Sequence, residues 1–114
     1  MYKRQFPDPN GCNILSDMAV HDVDTVVWLM QGEVPEFIYV VTHAHDAVLA
    51  KSGIDDSLTV VMKYKSGVIA TIDSCRETTY GYDVRVEVGV VSSLPSVDVD
   101  VAVVVYVHAW RCLL

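Results

Sequence analysis

Residues 58–74 read Leu-Thr-Val-Val-Met-Lys-Tyr-Lys-Ser-Gly-Val-Ile-Ala-Thr-Ile-Asp-Ser, and this stretch decides the fold. Two β-branched runs, 58–64 and 68–74, flank Lys65-Ser66-Gly67, a short polar loop ending in glycine. Such spacing predicts an antiparallel hairpin, because glycine accepts the positive φ that tight strand connections demand. Downstream, residues 82–88 alternate, with Val84, Val86 and Val88 on one face and Asp83, Arg85 and Glu87 on the other, which predicts a strand. Upstream, the β-branched and aromatic residues 36–43 read as another strand, and 44–55 as a loop or short turn.

Before the strands the period changes. A helix is expected from Asn13 or Ser16, both good N-caps, to about Met30, with Gln31-Gly32 and then Pro35 as its stop. Met18, Val23, Val26, Val27, Leu29 and Met30 surround much of it, which predicts burial on more than one side. The expected fold class is therefore α+β, one N-terminal helix packed on a mainly antiparallel sheet. The residues from Gly89 onward form an atypical Val-rich tail; it has the composition of a strand, and at an exposed edge it would be an aggregation hazard.

The helix carries the chemistry. At about 100° per residue, Asp17, His21, Asp24 and Trp28 fall in a wedge of roughly 60°. Acid and imidazole four residues apart lie within mutual reach and tune each other's protonation. An acid/base catalyst needs that arrangement. A metal could use it too, as could a merely solvated face, although no Lys or Arg stands between Arg4 and Lys51 to mix the signs.

Composition narrows the classes. The 114 residues allow one domain or part of one. With 52% hydrophobic and 20% charged residues the chain is globular in composition. A net charge of −7, with eight scattered basic residues, argues against a nucleic-acid surface. No run reads as a membrane span, because residues 97–114 are broken by Asp98, Asp100, His108 and Arg111. Cys12, Cys75 and Cys112 show no paired spacing, which favours reduced thiols and a cytoplasmic location. Cys75 reads as a buried small apolar strand residue, His43-Ala44-His45-Asp46 as a polar loop rather than a metal tract, and Asp98/Asp100 lack the following ligands of a calcium loop.

Three segments come in a telling order: residues 17–28 with Asp-x-x-x-His-Asp-x-Asp, the Lys65-Ser66-Gly67 hairpin with Ile72-Asp73, and Tyr80-Gly81-Tyr82-Asp83-Val84-Arg85-Val86-Glu87-Val88. Together they resemble the C-terminal substrate domain of the Gfo/Idh/MocA oxidoreductases, in particular the inositol 2-dehydrogenase branch, over roughly residues 11–88. The resemblance implies that His21 is the acid/base acting on a substrate hydroxyl, that Asp17 orients it, and that Asp24, Tyr80 and Tyr82 bind neighbouring hydroxyls of a cyclic polyol or sugar. It implies NAD or NADP as hydride acceptor, bound by a Rossmann domain that this chain lacks, since no G-x-G-x-x-G follows a strand. No cofactor-binding or metal-binding residue is therefore expected here, and the chain alone is expected to be inactive.

The expected organisation is a connector over 1–12, a partial substrate domain over 13–88, and the tail over 89–114, where the sequence departs from the family's pattern and marks a boundary of a truncated or misassembled product. Two other readings stay open. One is a non-enzymatic module that forms homo-oligomers or binds partners through its sheet; the other is a carboxylate–histidine metal site.

Overall fold

The computed structural model describes residues 13–76, 83–90 and 103–110, with side chains at all of these except 17, 90 and 103–110. The chain enters through a π-helical turn, Leu15–Ala19, and continues directly as helix α1, Val20–Leu29. Asn13 fastens the start: its Oδ1 accepts the Ser16 N–H at 2.9 Å. The stop is the expected one. Gln31 and Gly32 both take positive φ, 52° and 80°, and the Gly32 N–H donates to the Val27 carbonyl at 3.2 Å.

Five strands follow: β1 (Phe37–His43), β2 (Ser57–Lys63), β3 (Ile69–Cys75), β4 (Asp83–Val90) and β5 (Val103–Trp110). A short helix α2, Ala47–Lys51, sits in the β1–β2 connection, capped by Asp46, whose Oδ1 accepts the N–H groups of Val48 and Leu49. The segment 44–55 is thus a loop with one helical turn in it.

The strands form a single sheet in the order β1-β2-β3-β5-β4. β1–β2, β2–β3 and β4–β5 pair antiparallel, while β5 runs parallel to β3. The hairpin closes as expected. Tyr64 N–H donates to the Val68 carbonyl at 2.9 Å, Gly67 N–H to the Tyr64 carbonyl at 3.0 Å, and Gly67 takes φ 90°. Part of the Val-rich tail, Val103–Trp110, is a strand, and it occupies the interior of the sheet rather than an edge.

Period-two alternation aims Leu58, Val60 and Met62 of β2, with Ala70 and Ile72 of β3, at the helical layer, where they meet Ile14, Met18, Ala19 and Val26. These residues are the core. It lies over the middle of the sheet, and register puts Ile38 and Val40 of β1 and Val84, Val86 and Val88 of β4 on the same side of the sheet, where they remain 44–55% exposed. α1 is covered on one side, not several: among its residues only Asp22 and Val26 are buried, while Val20, Val27 and Trp28 stand out to solvent. The reason is that one sheet is the only layer packed against it among the described residues.

Candidate functional site on helix α1

His21, Asp24 and Trp28 lie on the outward side of α1. All three are exposed, Trp28 at 76%. Helical geometry puts His21 and Trp28 about 20° apart around the axis and Asp24 about 60° from His21, so the wedge expected from the sequence is formed by these three. Thr25 Oγ1 donates to the His21 carbonyl at 3.0 Å, a back-bond that satisfies the turn carrying the imidazole.

Asp17 falls in the middle of the π-helical turn, and its side chain lies outside the described residues. Its backbone position still matters. In an uninterrupted α-helix Asp17 would sit about 40° out of line with His21. A π turn closes i→i+5 and so rotates less per residue. That removes part of the offset and brings Asp17 more nearly under His21. Tyr80 and Tyr82, the remaining sequence-derived candidates, lie outside the described residues.

The opposite side of α1 holds a group that the sequence reading did not single out. Asp22 is 4% exposed, and its Oδ2 accepts a hydrogen bond from Ser74 Oγ of β3 at 3.3 Å. Burial pushes the Asp22 carboxyl above its ordinary value; the Ser74 hydroxyl and the nearby His21 charge pull partly the other way. A signal for it was present: Met18, Asp22 and Val26 recur every four residues, so the acid stands on the buried stripe.

A second polar cluster sits where β1 ends and β2 begins. Asp56 is fully buried and accepts the backbone N–H groups of His45 and Asp46 at 2.7 and 2.8 Å and the Ser57 hydroxyl at 2.9 Å. The His45 ring reaches it as well, with Nδ1 3.1 Å from Oδ1. Ser57 Oγ lies 3.0 Å from that same Nδ1. Serine and aspartate therefore share one ring nitrogen, and a nucleophile relay, which needs both nitrogens, is not built here. The cluster shapes the loop that starts α2. Cys75, expected as a buried apolar residue, is half-buried at the end of β3 with Sγ 3.5 Å from Ser57 Oγ, because it alternates onto the face away from α1. The rings of His43 and His45 meet edge to face at 4.7 Å.

A metal site on Asp17, His21 and Asp24 would draw on the Asp17 side chain, which lies outside the described residues. No group of three or more His, Cys, Asp or Glu among them converges to hold a metal ion. A phosphate cradle needs glycines between a strand and the start of a helix. The described glycines with positive φ, Gly32, Gly53 and Gly67, lie instead after α1, after α2 and in the hairpin. No described helix is long and apolar enough to cross a membrane, a statement that leaves β-barrels aside.

The chain has relatives. Over 75 residues it is 39% identical to myo-inositol 2-dehydrogenase of Thermotoga maritima, an overlap covering 66% of this chain and 22% of that protein. It is 35% identical, again over 75 residues, to inositol 2-dehydrogenase of Rhizobium meliloti, covering 66% of this chain and 23% of the relative. Among solved structures, a Thermotoga maritima chain described as a probable dehydrogenase superposes with a TM-score of 0.56 at 36% identity, covering 62% of this chain and 21% of that one. This chain thus spans about a fifth of the length of the proteins it matches. The family profile of the GFO/IDH/MocA C-terminal domain matches residues 2–90, and with the α+β architecture it establishes that the chain belongs to the GFO/IDH/MocA family as a fragment of its C-terminal domain.

Proposed function

We propose that this chain is the site-bearing piece of a dehydrogenase acting on a secondary hydroxyl of a cyclic polyol or sugar. The observation that carries the reading is the solvent-open pair His21 and Asp24 on one face of α1, in a domain whose relatives include inositol dehydrogenases. In this reading the His21 imidazole takes the carbinol proton, being the side chain whose ordinary titration range lies nearest neutrality. Asp17, held close to the His21 line by the π-helical turn, orients the imidazole and balances its positive form. Asp24 accepts hydrogen bonds from neighbouring hydroxyls, with Tyr80 and Tyr82 beside it. Hydride chemistry is the business of NAD or NADP. In this reading the dinucleotide is held by the Rossmann domain that the family resemblance implies, and a cytoplasmic setting is part of the same proposal.

Two measurements test this. In ¹H–¹⁵N spectra of the 114-residue chain, added myo-inositol is expected to shift the amides of His21 and Asp24. Spectra unchanged up to the solubility limit of the polyol would remove those residues from a binding role. In a dehydrogenase assay with NAD and polyol, the chain alone is expected to give no turnover; clear turnover would refute the placement of the cofactor site elsewhere.

A second reading has its own support. Phe37, Ile38, Tyr39, Val40 and Val41 of edge strand β1 are 47–57% exposed, and Val84, Val86 and Val88 of the other edge are 44–49% exposed. Apolar edges of this kind suit homo-oligomer formation through the sheet. Sedimentation at micromolar concentration tests it, and a sharp monomer would remove it.

A further inference from the structure

Helix α1 meets the sheet along one side, with Val23, Leu29 and Met30 half-buried against the core beside the fully buried residues. Of its ten residues only Asp22 and Val26 are buried, and Met18, one turn earlier, extends the same stripe. The apolar contacts of Met18, Val23, Val26, Leu29 and Met30 fix how close the helix lies and limit its rotation, but being non-directional they select one angle less sharply than a directional bond does. A hydrogen bond is directional. Among the described residues, the bond from Ser74 Oγ to Asp22 Oδ2 is the side-chain hydrogen bond that ties α1 to the sheet.

His21 stands about 100° from Asp22 around the axis and Asp24 about 200°. The functional face is therefore carried on the far side of a cylinder whose rotation is set at Asp22. A rotation of about 20° displaces a side-chain tip roughly 5–6 Å from the axis by about 2 Å. A 1 Å misplacement of a reacting group is enough to cost roughly a hundredfold in rate.

We propose that the buried Asp22–Ser74 pair sets the rotation of α1 on the sheet, and that Asp22 is a positioning residue for the His21/Asp24 face. The proposal rests on the dehydrogenase reading for its functional meaning, but the geometry stands by itself. Placing an acid between Met18 and Val26 is unfavourable unless it is hydrogen-bonded, and burial already pushes its carboxyl up. An apolar side chain of the same size would fill the stripe without that penalty. What it would lack is a direction.

The test is spectroscopic and uses the whole 114-residue chain. Ser74 is 52 positions from Asp22 in sequence and lies on a different element, so Ser74→Ala reaches His21 and Asp24 through Asp22. In isotope-labelled protein, the imidazole and amide signals of His21 and the amide of Asp24 are expected to move by more than their line widths while the unfolding transition stays cooperative. Changes confined to residues 73–75 and Asp22 would overturn the proposal. If Ser74→Ala does not fold, Asp22→Asn, which keeps an acceptor for Ser74, is compared with Asp22→Leu, which does not. Asp24 signals retained in the first and displaced in the second support the proposal; equal displacement in both, or in neither, overturns it. No polyol enters this experiment, so a failure of polyol binding would sink the dehydrogenase reading and leave this result standing.

Discussion

Replacing Asp56 by alanine removes the acceptor around which the β1–β2 connection is built. In the native chain its carboxylate takes the N–H groups of His45 and Asp46 at 2.7 and 2.8 Å and the Ser57 hydroxyl at 2.9 Å, with the residue fully buried. Asp56→Ala leaves both backbone donors without that partner, at about 1–3 kcal/mol each, a total of about 2–6 kcal/mol. Against the 5–15 kcal/mol typical of a whole domain this is a large fraction. Followed by far-UV circular dichroism in urea at pH 7, the midpoint is expected to fall by roughly 2 M for a mid-range loss and an m-value of about 2 kcal/mol/M. The pH dependence gives a second check. Burial alone would raise the Asp56 carboxyl, but the hydrogen bonds from Asp46, the His45 ring, Ser57 and the His45 N–H outweigh it and hold it below the ordinary 3.8. A lowered carboxyl stabilises the fold fully above that value, and the contribution is lost as pH falls through the folded-state value. The wild-type chain should therefore lose stability in strong acid more steeply than Asp56→Ala. A loss under about 1 kcal/mol at pH 7, with unchanged acid dependence, would refute the reasoning and mean that water replaces the carboxylate.

Asp22 is expected to behave with the opposite sign. Its carboxyl is raised by burial, so its contribution is full below 3.8 and is lost as pH rises through the folded value. Asp22→Asn should accordingly gain on the wild type between acid and neutral pH; urea midpoints that run parallel across that range would contradict this. Gly67→Ala places a Cβ in open space at φ 90°, so its cost is backbone strain alone, about 1–2 kcal/mol by the same urea assay; no measurable loss would mean that the loop relaxes. With a cofactor domain supplied in trans and turnover established, His21→Ala should lower kcat by roughly 10²–10⁴. Near-normal turnover would take His21 out of the mechanism.

The parts of this fold legible in the sequence are those whose cause is local. Lys65-Ser66-Gly67 closes a hairpin because a glycine at positive φ is nearly all that such a loop requires, and Gln31-Gly32 ends α1 for the same reason. The face carrying His21, Asp24 and Trp28 follows from helical period alone. Other features depend on partners distant in sequence. Asp22 finds its hydrogen-bond partner in Ser74, 52 positions away, and the apolar-residue pattern of α1 by itself suggested a helix covered on more than one side. The π-helical turn under Asp17 carries no composition mark. The five residues of α2 are too few to show a period, although Asp46 with the N–H groups of Val48 and Leu49 is an ordinary N-cap. Whether Val103–Trp110 would sit at an edge or inside was undecidable from a run of valines, since neighbour choice in a sheet is a non-local matter.

That last strand governs the order in which the sheet is completed. β4 leaves the ribosome before β5, yet within the sheet β5 is the neighbour that pairs with it. Until residues 103–110 have been made, β1, β2 and β3 are able to zip as a meander under α1 while β4 waits with both edges open. Long-range and parallel pairings of this kind form slowly and leave strand edges exposed in the meantime. A nascent chain stalled before Val103 would thus hold its helix and three strands, with β4 left as an unpaired ribbon, and protease sensitivity around Asp83–Val90 would report the arrival of β5.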